Sequence, residues 1–445
     1  MLEVRCFETF HALGGHRGAI NALNRESARP DPFSTFEFME SFHRHDELRA
    51  GRGGLPLWLL AVFERDLLQG FVALQGRITR VLGLPQRTLG FLVTRDTDRP
   101  HVLARPERLA DVSAAVWQYL LERGAEWQVL ELYQQDLAML PLCGTLPSLP
   151  ARYILREWPS LANATIHLRW RTLDDYAASL VRKFRVNLGR QMRNLAAAGH
   201  VEIIASSDAA ATPAMLDLCC QIEQRSWKAR AMATIGRHPD RRRYFEALLD
   251  PSQPMRISIQ LLLLDGLPIA GLMVGSFGGN LYALHVVYDE RYGRFAPGSA
   301  MLLLGVRQAL MQGCTQLNLL SGFGYFKSRW LAQMTETRII QVYRREGLLF
   351  ARRWLGDLLR RVGESGRLQP LRHFNPLRRQ LQALPAEEGE VPAVPDASQS
   401  APGERRDIEN RLAAIRACSC DTMGPEQFAA TMSFGARKPG SAAAS

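Results

Sequence analysis

Apolar positions change their spacing several times along the chain, and each change predicts an element. Helical spacing over Asp31 to Arg44 gives way to apolar strand runs at Leu57 to Glu64 and Gly70 to Gln75, with the turn Arg65-Asp66 between them. A strand near Gly90, an amphipathic helix over Arg108 to Arg123 and a strand over Gln128 to Leu132 complete a first α/β unit. Pro-rich spacing from Leu140 to Pro159 separates it from a second.

In the second unit, Tyr176, Leu180, Phe184, Leu188, Met192 and Leu195 recur at helical intervals and predict one long basic helix over Thr172 to Ala198, stopped by Gly199. A strand at Val201 to Ala205 and helices at Ala211 to Ala229 and Arg241 to Leu249 follow. Three runs, Arg256 to Leu264, Pro268 to Phe277 and Leu281 to Tyr288, are joined by Asp265-Gly266 and Gly278-Gly279-Asn280. Both linkers tolerate positive φ, so the runs read as an antiparallel meander. A loop to Pro297, a helix over Gly298 to Gln312 and strands at Leu317 to Leu320 and Thr337 to Arg344 come next. An Arg-rich amphipathic helix is predicted over Leu348 to Arg361. Pro, Ala, Glu and Ser dominate 385–403, a composition that buries too little apolar surface to offset chain entropy, and one helix returns at Arg405 to Ala417. The expected division is therefore a first lobe over 1–150, a second over 151–345, a basic helical segment over 346–384 and a mostly disordered tail over 385–445.

Composition narrows this picture little. Apolar residues at 47% and charged residues at 22% describe an ordinary globular chain, and 445 residues favour two domains over one. The net charge of +11 suits an anionic partner, although 51 of the 55 basic residues are Arg (55 less Lys183, Lys228, Lys327 and Lys438), a bias that genome base composition also produces. Seven cysteines without zinc-site spacing argue for a reducing compartment and against a metal, and no apolar run approaches the ~20 residues of a spanning helix. A cytoplasmic location follows as the expectation, with attachment at the inner membrane through 348–361 as an added one.

Chemistry concentrates between Met255 and Trp330. The loop from Asp289 to Ala300 feeds a helix N-terminus, where free backbone N–H groups and the helix dipole favour a phosphate or carboxylate. Pro297 suits the helix start, Gly298 lets a ligand approach, and Arg291 and Arg294 add charge at the mouth. A plain strand-to-helix turn explains the same residues about as well. Ser/His/Asp elbows, Walker loops and HExxH are missing, which weighs against hydrolase, nucleotidase and zinc-protease readings.

Several stretches carry a family likeness: Phe184 to Leu195 with Gly199-His-Val-Glu202, Ser226-Trp-Lys228, Tyr288 to Gly313, and Ser321-Gly-Phe-Gly-Tyr-Phe-Lys-Ser-Arg-Trp330. Through them the chain resembles the CelD-like acetyltransferase domain of the GNAT superfamily, and is similar to FemAB-type aminoacyl transferases. The resemblance implies two tandem GNAT-like lobes of the α/β class, each a mixed, mainly antiparallel sheet flanked by helices, to which the composition adds a disordered C-terminal tail. It implies transfer of an acyl group from acetyl-CoA or another acyl-CoA, without a metal, to an amine or hydroxyl acceptor. An amino sugar or glycan precursor of exopolysaccharide or envelope metabolism, a small-molecule or glycan acceptor, is the first expectation, and an aminoacyl-tRNA donor is the alternative. The pyrophosphate loop maps to Arg294 through Gly298, Ser299 and Ala300, with Pro297 where the family's first Gly would fall and one residue more than usual. Gly298→Trp is accordingly expected to block donor binding and spare the fold.

Acyl transfer needs a base for the acceptor and a donor to the carbonyl oxygen. Glu223, Asp289, Glu290, Tyr325 and Lys327 are the candidates, with Trp227, Lys228 and His285 as acceptor contacts. For each the ordinary alternative stands beside it: a solvated loop for Tyr325 and Lys327, a helix with one buried Trp for Glu223 to Lys228, a core imidazole for His285. The basic positions Arg182, Lys183, Arg185, Arg190 and Arg193 fit an anionic substrate or a solvated helix face. A membrane-surface protein and a nucleic-acid binder without catalysis are the competing classes, the latter weakened because aromatics do not interleave with the basic residues.

Overall fold

The computed structural model describes residues 2–45, 56–81, 84–93, 96–136, 150, 152–206, 212–230, 234–237, 239–322, 324–345, 355, 402–417 and 420–432. They form two α/β units, one of Met1–Ala162 with the strand Thr337–Arg344, the other of Asn163–Thr335 with the described C-terminal elements.

Among the described residues the first unit has an eight-stranded sheet: β1 (Glu3–Phe7), β2 (Leu57–Glu64), β3 (Leu67–Val81), β4 (Leu84–Phe91), β6 (Val129–Asp136), β15 (Thr337–Arg344) and β7 (Tyr153–Pro159) in spatial order, with β5 (Leu103–Ala104) on β3. All its ladders are antiparallel except β4 with β6, which the helix Leu109–Glu122 connects. That helix buries Val112, Val116 and Leu120 against Leu60, Val62, Leu74 and Leu130.

The second unit repeats the plan. Its sheet runs β14 (Gln333–Thr335), β8 (Asn163–His167), β13 (Gln316–Ser321), β12 (Asn280–Tyr288), β11 (Leu267–Phe277), β10 (Arg256–Leu264), β9 (Val201–Ser206) and β16 (Cys420–Met423). The predicted meander is β10, β11 and β12, and its first turn has Asp265 at φ 50° and Gly266 at φ 77°, the paired positive φ that a two-residue hairpin demands. The one parallel junction among the described residues of this unit is again spanned by a helix, here Pro297–Met311 between β12 and β13. Each unit is thus a mixed, mainly antiparallel sheet flanked by helices.

Several boundaries differ from expectation. Thr337–Arg344 is a strand as predicted, yet it lies between β6 and β7 of the first unit, so the second lobe does not extend over 151–345. The Pro-rich spacer holds β7, and Asn163 rather than 151 opens the second unit. The long basic helix is two, Leu173–Ser179 and Arg182–Ala197, because Leu180 turns extended at ψ 149°. Thr172 and Asp175 close a capping box at the start of the first of them.

Within the tail, the predicted helix is Pro402–Ala417, and two elements follow that its composition did not signal. Ile408, Leu412 and Ile415 are buried, and Arg411 pairs with Asp217 at 2.6 Å while Arg416 pairs with Glu202 at 2.6 Å. β16 adds to the sheet edge at β9, and the helix Pro425–Met432 inserts Phe428 and Met432 into the core beneath the helix Arg182–Ala197. The predicted helix over Leu348 to Arg361 falls outside the described residues apart from Leu355, as do 356–401. No helix among the described residues is long and apolar enough to cross a membrane.

Candidate active site

Two irregularities of β12 create the site. Its ladder with β11 steps from Met273↔His285 to Val274↔Ala283, so Leu284 is an extra residue, a bulge that bends the strand and re-aims its neighbour His285. Its parallel ladder with β13 holds only at Leu281↔Leu317 and Tyr282↔Asn318, and the strands then part. Beyond that point Leu320 takes φ 60° and donates its N–H to Asn318 Oδ1 at 2.8 Å.

At the bulge, three side chains from separate elements meet. Glu223 ends the helix Thr212–Glu223 and is wholly buried; its Oε1 lies 2.5 Å from His285 Nε2, and its Oε2 accepts the Ile235 N–H at 2.7 Å. Ser226 caps the next short helix, donating to the Glu223 carbonyl and accepting from the Lys228 N–H at 3.2 Å, which directs Lys228 toward the same place. Lys228 Nζ donates to the Val286 carbonyl at 2.8 Å and lies 3.1 Å from His285 Nδ1 and 3.3 Å from Nε2. An ammonium that near to both ring nitrogens lies off the lone-pair axis of at least one. The carboxylate at Nε2 assigns the ring proton to that nitrogen, which leaves the Nδ1 lone pair toward Lys228.

Burial alone would raise the Glu223 carboxyl. The hydrogen bond from His285, the Ile235 N–H and the charge of Lys228 outweigh it and hold the group below its ordinary value. The adjacent thiols go the other way: burial, then the Glu223 charge, pushes Cys220 up to about 12, and burial raises Cys219 as well. Neither is a thiolate nucleophile near neutrality.

The loop after β12 forms the 3-10 turn Glu290–Phe295, passes through Ala296 at φ 51°, and enters the helix Pro297–Met311. Pro297 has no N–H, while the Ser299 and Ala300 amides already donate to the Ala296 carbonyl at 2.9 and 3.2 Å. The helix start therefore offers the Gly298 amide and the Ser299 hydroxyl rather than a full set of amides.

Residues 182–328 match the family model described as an acetyltransferase (GNAT) domain. The second unit holds a GNAT domain. The match runs from the helix Arg182–Ala197 to the helix Gly324–Ser328 and includes Glu223, Lys228, His285 and the loop. No curated protein matches the chain in sequence. Among solved structures, the chain is similar to FemX at TM-score 0.51 and 10% identity, over 76% of this chain and 96% of that one. At that identity the likeness is one of fold, and it extends over both units. The C-terminal domain of a putative lysylphosphatidylglycerol synthetase from Agrobacterium fabrum aligns at TM-score 0.45 and 14% identity over 80% and 97% of the two chains. A tandem GNAT protein from the clavulanic acid biosynthesis pathway aligns at TM-score 0.43 and 13% identity over 78% and 99%.

The GNAT domain gathers some of the predicted residues and sets others aside. Glu223, Lys228 and His285 form one cluster, and Trp227 begins the short helix that carries Lys228. Asp289 is no base: buried, it accepts the Arg291 N–H at 3.0 Å as a turn cap and holds the Arg291 guanidinium at 2.6 Å. Arg291 is thereby committed to Asp289, and Arg294, exposed with its guanidinium 4.6 Å from the Phe295 ring centroid, is the cation left at the mouth. Glu290 donates its backbone N–H to the Arg225 carbonyl at 3.2 Å.

Lys327 is a strand-end cap, its Nζ donating to the carbonyls of Leu319, Leu320 and Ser321 at 2.7, 2.9 and 2.9 Å. A lysine holding three acceptors is an ammonium and no base. Tyr325 lies in the helix Gly324–Ser328, and its side chain falls outside the described residues. Gly298 packs on Tyr288, where an added Cβ would stand 3.0 Å from Cδ1, so Gly298→Trp would disrupt the fold as well as the loop. Of the basic helix, Arg182, Lys183, Arg190 and Arg193 are exposed opposite a buried stripe of Phe184, Leu188, Met192 and Leu195. The sequence reading missed the packing of Phe245, whose ring centroid lies 6.3 Å from that of His285, and the Ile235 amide.

Proposed function

We propose that the second unit moves an acyl group from an acyl thioester, acetyl-CoA or another acyl-CoA, to an amine or hydroxyl, and that Lys228, His285 and Glu223 manage the proton. The contact of His285 with buried Glu223 at the bulge of β12 carries this reading. Lys228, half-buried, is the open end of the chain. As the acceptor nitrogen or oxygen bonds to the acyl carbon, its proton passes to Lys228 Nζ while Nζ releases one to His285 Nδ1. The imidazolium that results is stabilised by the Glu223 carboxylate. The C–S bond then breaks and the thiolate leaves with the donor.

The parted β12 and β13 fit the extended arm of such a donor, and Gly298, Ser299 and Arg294 would hold its phosphates. Held so, a thioester supplies an activated acyl carbon. The expected acceptor remains an amino sugar or glycan precursor, with a FemAB-like aminoacyl-tRNA donor as the other choice that the fold allows. Thermal shift with acetyl-CoA, longer acyl-CoAs and CoA tests the donor, repeated on Gly298→Ala, whose methyl needs Tyr288 to yield a few tenths of an ångström. Stabilisation by an acyl-CoA that Gly298→Ala weakens supports the reading. No shift with any of these, beside tight binding of charged tRNA, overturns the donor.

A further inference from the structure

On the face of the second sheet that carries the helix Pro297–Met311, alternate residues point into the core, and the inward set changes character along the strands. In β10, Leu264 and Leu262 belong to the core, and the next positions on that face are Gln260 and Ser258. In β11, Leu272 and Val274 are core residues and Ser276 follows. Inward positions that turn polar between two helices break the binary pattern, and such breaks concentrate where a protein binds something. Here they floor a cleft of about 1160 Å³, walled by residues 304–312 on one side and by the C-terminal strand and helix on the other. Its place is the far end of the helix whose first turn faces the donor loop, so it is separate from the site described above.

We infer that this cleft binds a short peptide with a free carboxylate. Gln260, only 6% exposed, donates to Gln308 Oε1 at 2.6 Å, and Gln308 donates to Ser258 Oγ at 3.2 Å. This chain of amides and hydroxyls keeps both donors and acceptors available, the pairing that peptide N–H and C=O groups require. Three methionines, Met255, Met311 and Met423, line the cleft and adapt to varied side chains. Arg307, half-buried and with no acidic partner among the described residues, provides the carboxylate anchor; Asp421, exposed on the same lining, suits an N-terminal ammonium, while Asp250 is taken up by the Ser252 N–H at 2.8 Å. Among the described residues the lining has no aromatic ring, so a nucleobase or sugar ring would find no stacking platform there.

The test is methionine-methyl NMR on the full chain, with all 13 methionines labelled. The probes are a pool of tetrapeptides with free termini, the same pool blocked by amidation of the C-terminal carboxylate alone, and chitotetraose. The free pool should move Met255, Met311 and Met423 and leave Met301, in the first turns of the helix Pro297–Met311 and outside the cleft lining, still, with the blocked pool at least ~10-fold weaker, the cost of one charge-assisted contact. Arg307→Met should remove that difference at unchanged Tm, and Ser258→Leu, which fills the floor, should abolish the shifts. Three unmoved methyls at millimolar free peptide, equal response to blocked peptide, or a response to chitotetraose alone would each overturn the inference.

Discussion

Glu223→Gln changes two atoms' chemistry and no volume, and its consequences can be worked from three contacts. The Ile235 N–H needs an acceptor, so the new amide turns its oxygen there and its NH₂ toward His285. An imidazole nitrogen facing an NH₂ must accept, which moves the ring proton from Nε2 to Nδ1 and sets it against the Lys228 ammonium 3.1 Å away. His285 Nδ1 then has no lone pair to take the proton that Lys228 releases, and no carboxylate remains for the imidazolium. Loss of a base and its orienting group together predicts a fall in kcat of roughly 10²–10⁴ with little change in KM.

Stability provides a second, acceptor-independent readout. Hydrogen bonds to a charged group are worth about 1.5–3 kcal/mol, so Tm should drop by roughly 3–12 °C for a unit of this size near neutral pH. The folded carboxyl titrates below its ordinary 4.5, so its contribution is complete above that value and vanishes as pH falls through the lower folded pKa. The Tm gap between wild type and variant should therefore be constant near neutrality and close in acid. ¹⁵N NMR of the histidine ring reads the tautomer directly. An unchanged tautomer with kcat within threefold of wild type would refute both the proton path and the assignment of Nε2–H.

Asp289→Asn should cost about 1–3 kcal/mol by loosening the Arg291 turn while leaving the shape of the pH–rate profile intact, whereas a base would take that profile with it; kinetics over pH 5–9 decide. Lys327→Met strands three carbonyls at the end of β13 and should lower stability by about 1–3 kcal/mol, with Lys327→Arg recovering part of it in urea titrations. Phe428→Ala should cost about 3–5 kcal/mol by opening a cavity beneath the helix Arg182–Ala197; a loss below ~1 kcal/mol in the full chain would mean that the C-terminal helix is not part of that core.

What could be read from the sequence was local. The meander was legible because Asp265-Gly266 and Gly278-Gly279 announce their turns, and Thr337 to Arg344 was legible as a strand to the residue. Its membership was not. Strand propensity names no partner, and the pairing of β15 with β6 and β7 joins segments some two hundred residues apart. β8 and β14 are five and three residues long, too short to show alternation against flanking Arg and Trp. The break at Leu180 has no Gly or Pro to mark it, and β16 exists because β9 offers an edge, a property of β9 rather than of Cys420 to Met423.

The site was half legible for the same reason. Glu223 and His285 were both singled out, one as a base and one as an acceptor contact, because each is an ionisable residue at an inward position of an apolar element: Glu223 one helical turn beyond Cys219, His285 within Leu-Tyr-Ala-Leu-His-Val-Val-Tyr. Two such residues at cost must find each other or remain neutral, so their joint presence was itself a signal of a pair. A separation of 62 positions hid it, and the bulge at Leu284 that brings the ring round belongs to the register with β11, which no residue of β12 spells out. Asp289 and Lys327 misled in the opposite direction. Placed beside a ligand loop and a strand end, they have the composition of catalytic groups, but a turn needs a cap and a terminating strand needs a donor, and these demands, closer in sequence, are met first. Residues that answer a demand within about eight positions should be assigned to structure, and those whose partner must come from another element are the ones left to chemistry.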